Sequence, residues 1–261
     1  MVIDFHTHCF PDAVAKKAIP ELEESGCVKA LHDGTVGSLK QLMDECDVDI
    51  SIVLPVATKP SQVPVINDWA KSSADDTLCF FGALHPDDPY FYENAKKLKE
   101  DGFRGVKLHP DYQHFYADEP RMMPLYEALR DLGLIVSLHS GMDIGYPVPV
   151  HCTPLMIKNI MESIKGLKII AAHMGAYALW QDVEALLIGL PIFFDTSYSY
   201  HALKQQGMER IIKKHGAENV LFGTDSPWKR ADTEISRIIA LNLPARDIDK
   251  ILFGNALSLL N

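Results

Sequence analysis

Two histidines one residue apart, His6 and His8, follow the run Val2-Ile3-Asp4-Phe5, and three more metal-binding side chains follow runs of the same kind. His139 comes after Leu134-Ile135-Val136-Ser137-Leu138, His173 after Ile169-Ile170-Ala171-Ala172, and Asp225 after Val220-Leu221-Phe222-Gly223-Thr224. Imidazole and carboxylate together suit zinc and its first-row neighbours. In a strand, residues i and i+2 share a face, so His6 and His8 can point at one ion while Thr7 points away. If the runs are parallel strands of one barrel, their C-terminal ends open on one face and bring the five residues to one point. The chemistry to expect is that of a metal site with an open coordination position, and therefore of an enzyme.

The elements that must do this positioning can be read from short β-branched or aromatic runs, each followed by helical periodicity. Eight strands are expected, near 2–6, 50–54, 79–84, 104–108, 134–139, 168–172, 191–195 and 219–223. Ser38 is the expected cap of a helix with the apolar stripe Leu39, Leu42, Met43 and Cys46. Pro64, Pro89, Pro120 with Pro124, and Pro154 open further helices. The last three carry Val183 with Leu186 and Leu187, Leu203 with Ile211 and Ile212, and Ile235 with Ile238 and Ile239. Strict alternation implies parallel strands joined by crossovers, and eight units close a (β/α)8 TIM barrel, here a single domain over residues 1–261. A doubly wound open sheet would want a glycine-rich phosphate turn after strand one, which His6-Thr7-His8-Cys9-Phe10-Pro11 is not. His32-Asp33-Gly34-Thr35-Val36-Gly37 is the most loop-like stretch and belongs to a long excursion after strand one.

Composition narrows the class. Hydrophobic residues make up 47% and charged residues 23%, as in soluble globular domains. The apolar runs fall short of the roughly 20 residues that span a bilayer, and Val2 already belongs to a strand, so neither a membrane helix nor a secretion signal is expected and a cytoplasmic location is. A net charge of -10, with the lysine pairs Lys16-Lys17, Lys96-Lys97 and Lys213-Lys214 isolated and forming no stripe, argues against nucleic acid as a partner. Five cysteines without CxxC spacing indicate neither a disulfide framework nor a cysteine zinc site. The expected partner is a small-molecule substrate, with a homodimer left open.

In combination and in this order, Asp4-Phe5-His6-Thr7-His8, Gly105-Val106-Lys107-Leu108-His109-Pro110, Leu138-His139-Ser140-Gly141, Ala171-Ala172-His173-Met174-Gly175, Gly223-Thr224-Asp225-Ser226-Pro227 and Gly254-Asn255-Ala256 resemble the amidohydrolase superfamily of metal-dependent barrels. The likeness is to the branch that includes aminocarboxymuconate semialdehyde decarboxylase, and it covers essentially the whole chain. It implies that His6, His8, His139 and Asp225 hold one divalent ion, zinc being the expected one, while His173 acts beside it as a proton carrier or donor to substrate. A bound cation can lower the pKa of water from about 15.7 to about 7, and a histidine with a pKa near about 6.5 can accept or return a proton. Asp225 is the second expected catalytic group, holding the water and shuttling its proton.

Lys107 and His109 project to one face at the end of strand four, where two-metal members of the superfamily carry a carboxylated lysine. A carboxylated Lys107 would imply a second ion on His139 and His173; a charged Lys107 would instead contact a substrate carboxylate. The one-ion arrangement is the expected one. Lys107, His109 and Trp228 are the substrate-binding candidates, with Phe10, Tyr112, Tyr146, His151, Trp180, Tyr198 and Lys229 as further loop residues. Asp143 and Asp195 could orient histidines. The expected activity is hydrolysis of an amide, ester or lactone through a metal-activated water. The alternative is decarboxylation of a small unsaturated or aromatic acid; a barrel that binds without turnover would need a closed coordination shell.

Overall fold

The computed structural model describes residues 1–146 and 148–261. The strands are β1 (Ile3–Thr7), β2 (Ile50–Val53), β3 (Leu78–Phe80), β4 (Gly82–Ala83), β5 (Gly105–Leu108), β6 (Ile135–Leu138), β7 (Ile169–Ala171), β8 (Phe193–Asp195) and β9 (Val220–Leu221). The helices are α1 (Asp12–Gly26), α2 (Val36–Glu45), α3 (Val63–Ser73), α4 (Phe91–Glu100), α5 (Met123–Asp131), α6 (Pro154–Ser163), α7 (Trp180–Leu186), α8 (Tyr200–His215), α9 (Ala231–Ile239), α10 (Ala245–Asp249) and α11 (Asn255–Leu260). Every strand pairing is parallel.

The chain folds as the expected TIM barrel. The third barrel strand is broken at Phe81 into β3, which pairs with β2, and β4, which pairs with β5. Across the seam between β9 and β1, Phe5 N donates to Phe222 O at 2.8 Å, and Thr7 bridges Ser226. Beyond it, Asp225 N donates to His6 O at 2.8 Å and His8 N to Ser226 O at 2.7 Å, so the seam carries two of the expected site segments.

Burial separates two layers. Val53, Val106, Leu108, Val136, Leu138, Ile169, Ala171 and Phe194 join a large core shared with helix residues such as Leu39, Leu98 and Ile211. Ile3, Phe5, Ile52, Leu54, Phe81, Ile135, Ile170 and Leu221 form a separate cluster of strand side chains, against which Leu257, Leu259 and Leu260 of α11 pack. Ile3 and Ile135 open their strands, so this plug fills the end of the barrel away from the histidines and leaves the other end for polar groups.

Two helical expectations change. The cap of α2 is Thr35, whose side chain accepts from Ser38 N while Ser38 returns the bond, a reciprocal capping box that makes Ser38 an N3 residue. The loop-like stretch lies ahead of α2 as expected, but the excursion after β1 also holds α1, a helix not expected from the sequence, with Pro20 inside it breaking the periodicity that would have announced it. The short α10 and α11 were also not foreseen. Cys9, Cys46 and Cys152 are buried, Cys27 is exposed, and all five cysteines are free. No helix among the described residues is long and apolar enough to cross a membrane.

Candidate metal centre

His6 and His8 leave β1 with their Nε2 atoms turned to one carboxylate. Asp225 Oδ1 lies 3.4 Å from His6 Nε2 and 3.2 Å from His8 Nε2. The register of β1 against β2 shifts between Asp4 and Thr7, an irregularity of the kind that re-aims side chains at a barrel rim. Asp4 anchors the seam below, accepting from Thr224 N at 2.9 Å, Thr224 Oγ1 at 2.5 Å and His6 N at 3.2 Å. Burial raises the Asp4 pKa to about 7 against these donors. Backbone strain concentrates here too: His173, Met174, Tyr198 and Asp225 all have positive φ, between 50° and 69°.

Hydrogen bonds on the far side of each ring fix which nitrogen carries the proton. His6 Nδ1 is 2.9 Å from Asp195 Oδ2, His8 Nδ1 is 3.0 Å from Leu54 O, and His173 Nδ1 is 3.1 Å from Ser197 O. A carboxylate or carbonyl only accepts, so each Nδ1 donates and each Nε2 presents a lone pair. Burial, then the Lys107 charge, pushes the His6 pKa down to about 4 against the pull of Asp195. Burial works to raise both Asp195 and Asp225, but the bonds and charges of the facing histidines outweigh it and hold both carboxyls below the ordinary aspartate range. Two lone-pair nitrogens and a carboxylate oxygen therefore converge with no proton to share between them. That repulsive arrangement is what a cation relieves, and the donor set is one that divalent first-row ions accept.

His139 and His173 stand beside this cradle, joined by His173 Nε2 to His139 Nδ1 at 3.1 Å. The candidate ligand atoms that lie within 4.8 Å of one another fall into three sets among the described residues: those of His6, His8 and Asp225, those of His6, His173 and Asp195, and those of His109, His139 and Asp143. Lys107, 1% exposed, places Nζ 3.4 Å from His6 Nε2. Burial lowers its pKa to about 8, with Asp195 and Asp225 opposing. His109 stacks between Tyr112 and His139, with centroids 3.8 and 4.0 Å away and interplanar angles of 11° and 12°.

Of the other expected contacts, Trp228 is half-buried in the turn that presents Asp225, its N donating to Asp225 O at 2.8 Å, and its ring is outside the stacked cluster. Lys229 sits with Nζ 4.2 Å from the Tyr198 ring centroid, and Tyr177 bonds His201 Nε2 at 3.1 Å beside it. His151 is paired with buried Asp111 at 2.7 Å. Sequence reasoning missed Ser197, whose Oγ touches His6 Nδ1 at 3.0 Å and His173 Nδ1 at 2.9 Å and also bonds Asp195. It also missed Gln113, which accepts from His109 N at 2.9 Å and donates to Ala57 O at 2.8 Å and Leu84 O at 2.7 Å. Their only signal was a polar residue two positions after Asp195 and one four positions after His109.

A family model described as Amidohydrolase matches residues 3–261. No curated protein matches the chain by sequence. Among solved structures, 5-carboxyvanillate decarboxylase from Sphingomonas paucimobilis is 15% identical with a TM-score of 0.73, covering 99% of this chain and 98% of its own. A dihydroxybenzoic acid decarboxylase from Polaromonas, solved with manganese and the inhibitor 2-nitroresorcinol, is 18% identical with a TM-score of 0.73, covering 99% and 96%. The IDCase of Metarhizium anisopliae is 17% identical with a TM-score of 0.73, covering 100% and 97%. At such identities the likeness is one of fold.

Proposed function

Because the chain belongs to the amidohydrolase family, we propose that it is a divalent-metal-dependent carbon–carbon lyase that removes carbon dioxide from a small aromatic or unsaturated carboxylic acid. The observation that carries this reading is Lys107. Its ammonium is buried, and among the described residues no carboxylate stands within ion-pair distance of it. Asp195 and Asp225 favour its charge only from beyond that distance, and an acidic substrate would supply an anion in direct contact. Structural neighbours that decarboxylate aromatic acids support the reading. It treats residues 1–261 as one catalytic domain.

On this reading His6, His8 and Asp225 hold the ion, with His139 as the fourth ligand that the resemblance assigns, and zinc or manganese fits such donors. When bound, the ion supplies Lewis acidity that draws electron density away from the substrate. Lys107 grips the carboxylate beside it. His173, its Nδ1 tied to Ser197 O, takes up and returns a proton at Nε2. The electron pair of the breaking carbon–carbon bond stays on the substrate carbon, which takes that proton as carbon dioxide leaves. The stacked His109 and Tyr112 rings supply aromatic surface beside the centre.

Hydrolysis of an amide, ester or lactone by the same centre is the second reading, favoured by the hydrolytic description of the family model. A panel of hydroxybenzoic acids, lactones and amides separates the two on enzyme loaded with manganese or zinc. Carbon dioxide release with solvent deuterium appearing at the vacated carbon is the expected result. Turnover of lactones or amides without carbon dioxide would transfer the assignment to hydrolysis.

A further inference from the structure

The segments after β7, β8 and β9 place Tyr177, then Tyr198 and His201, then Lys229 at the barrel mouth. The Lys229 ammonium lies over the Tyr198 ring, 4.2 Å from its centroid, and the His201 ring meets Tyr198 edge-on at 4.7 Å. Among the described residues no carboxylate stands within ion-pair distance of Lys229. Glu234 favours its charge from further off and is itself paired with Arg237 at 2.5 Å. The Tyr177 hydroxyl and His201 Nε2 are 3.1 Å apart, while His201 Nδ1 is buried with no partner among the described residues. A neutral imidazole and a phenol carry one donor each, and the single bond between them uses one. If the hydroxyl donates to Nε2, the N–H at Nδ1 is left over; if Nε2 donates, the hydroxyl proton is left over. Burial, then the Lys229 charge, pushes the His201 pKa down to about 4, so the ring is neutral near neutral pH and the count holds. The cluster thus offers an ammonium and one unspent donor, and has no acid of its own in contact with them.

This cluster adjoins the metal cradle. Tyr177 meets the His173 ring edge-on at 6.4 Å, and the Asp225 carboxylate favours the charge of Lys229 while opposing ionisation of Tyr198. The segment that carries His201 is bracketed by left-handed backbone, with φ of 50° at Tyr198 and 57° at Lys204 inside α8. We propose that Lys229, Tyr198 and the Tyr177–His201 pair form a second acid-binding subsite, and that the substrate is a dicarboxylic aromatic or unsaturated acid: the carboxylate that is lost lies on Lys107 and the one that is kept lies on Lys229. A carboxylate has two oxygens, enough to meet the ammonium and the unspent donor together, whereas a monoacid leaves both unanswered. Which carboxylate is lost rests on the proposed lyase activity; the subsite itself does not.

The test is calorimetric titration, in buffer containing Mn2+, with benzoate and with phthalate, isophthalate and terephthalate, which hold a second carboxylate at three different spacings. At least one diacid should bind wild-type protein about 10-fold or more tightly than benzoate does, since a charge-assisted contact is gained. Lys229→Met, or Lys229→Gln if the first does not fold, should bring that preference down to about twofold or less, and Lys229→Arg, which keeps a cation over the ring, should retain it. Wild-type protein with no diacid preference overturns the inference without any variant, as does a folded Lys229→Met protein that keeps the preference. Diacid preference beside hydrolysis of lactones or amides without carbon dioxide would leave the subsite standing and remove the lyase reading. Carbon dioxide release from monoacids, with diacids bound no more tightly, would do the reverse.

Discussion

Asp195 Oδ2 lies 2.9 Å from His6 Nδ1, although 189 residues separate the two in sequence, and Asp195 Oδ1 accepts from His173 N at 3.0 Å. One carboxylate at the end of β8 thus sets the tautomer of a ring from β1 and the backbone position of a ring beyond β7. Asp195→Asn removes the acceptor that obliges His6 Nδ1 to keep its proton. The expected outcome is Mn2+ binding weakened about 10- to 100-fold with little change in Tm, checked by calorimetric titration.

The two histidines of the His139–His173 pair should separate by phenotype. His139→Ala is expected to lose both metal and activity. His173→Ala is expected to keep most metal and lose turnover, because His173 is assigned the proton and not the ion. Metal content by elemental analysis beside kcat decides this; equal metal loss in both variants would favour a two-ion site that includes a carboxylated Lys107.

Lys107→Met replaces a buried ammonium that has no carboxylate within ion-pair distance with an apolar side chain of similar length. Removing a buried ammonium relieves its desolvation cost, so the metal-free variant should melt at or above the wild-type temperature. Turnover of carboxylate substrates should fall at the same time by about 100-fold or more, since a charge-assisted contact is lost where water is excluded. Reduced stability with unaltered turnover of carboxylate substrates would contradict both halves.

His215 supplies a pH-dependent stability term remote from the centre. Its ring stacks on Phe194 at 3.9 Å, Nε2 bonds Ile192 O at 2.9 Å, and Nδ1 accepts from Gly189 N at 3.3 Å, so both nitrogens are committed to the neutral form. Burial lowers its pKa below 6.5. The unfolded chain therefore takes the proton first as pH falls, and stability present above about pH 6.5 is lost below it. His215→Gln, which donates and accepts without titrating, should show a smaller drop in Tm between pH 7 and pH 5 than wild type.

Gly141 has φ of +85°, and a Cβ there would lie 2.1 Å from Tyr177 N and 2.3 Å from Tyr177 O. The two loops touch through Tyr177 N to Ser140 O at 2.9 Å and Met142 N to Tyr177 O at 3.0 Å, so neither backbone can withdraw cheaply. Gly141→Ala should cost about 2–4 kcal/mol, read from denaturant unfolding, and displace His139 and His173 together.

The barrel and the convergence of His6, His8 and Asp225 were legible because strand periodicity and ligand type are local properties of the chain. α1 was not, since Pro20 interrupts its pattern, and the cap of α2 was misplaced by one turn because Thr35 and Ser38 both suit an N-terminus. The grouping of His139 with His109 and Asp143 depends on which way each ring nitrogen faces, and no spacing rule encodes that. Ser197 and Gln113 carry no motif; their importance comes from buried hydrogen bonds made to residues far away in sequence. The burial of Lys107 with no carboxylate in direct contact, which supports the lyase proposal, could not be read from the sequence either.

Gln113 ties His109 to the carbonyls of Ala57 and Leu84, so the mouths of three neighbouring barrel units are latched to one another before any rim loop begins. Variation beyond that latch, at Tyr112, Tyr146, Tyr198 or Lys229, can therefore reshape what enters the barrel without loosening the ring of donors beneath it. Such a division lets a lineage trade one substrate for another by small steps, and it marks those four positions as the places to begin when redirecting the catalyst.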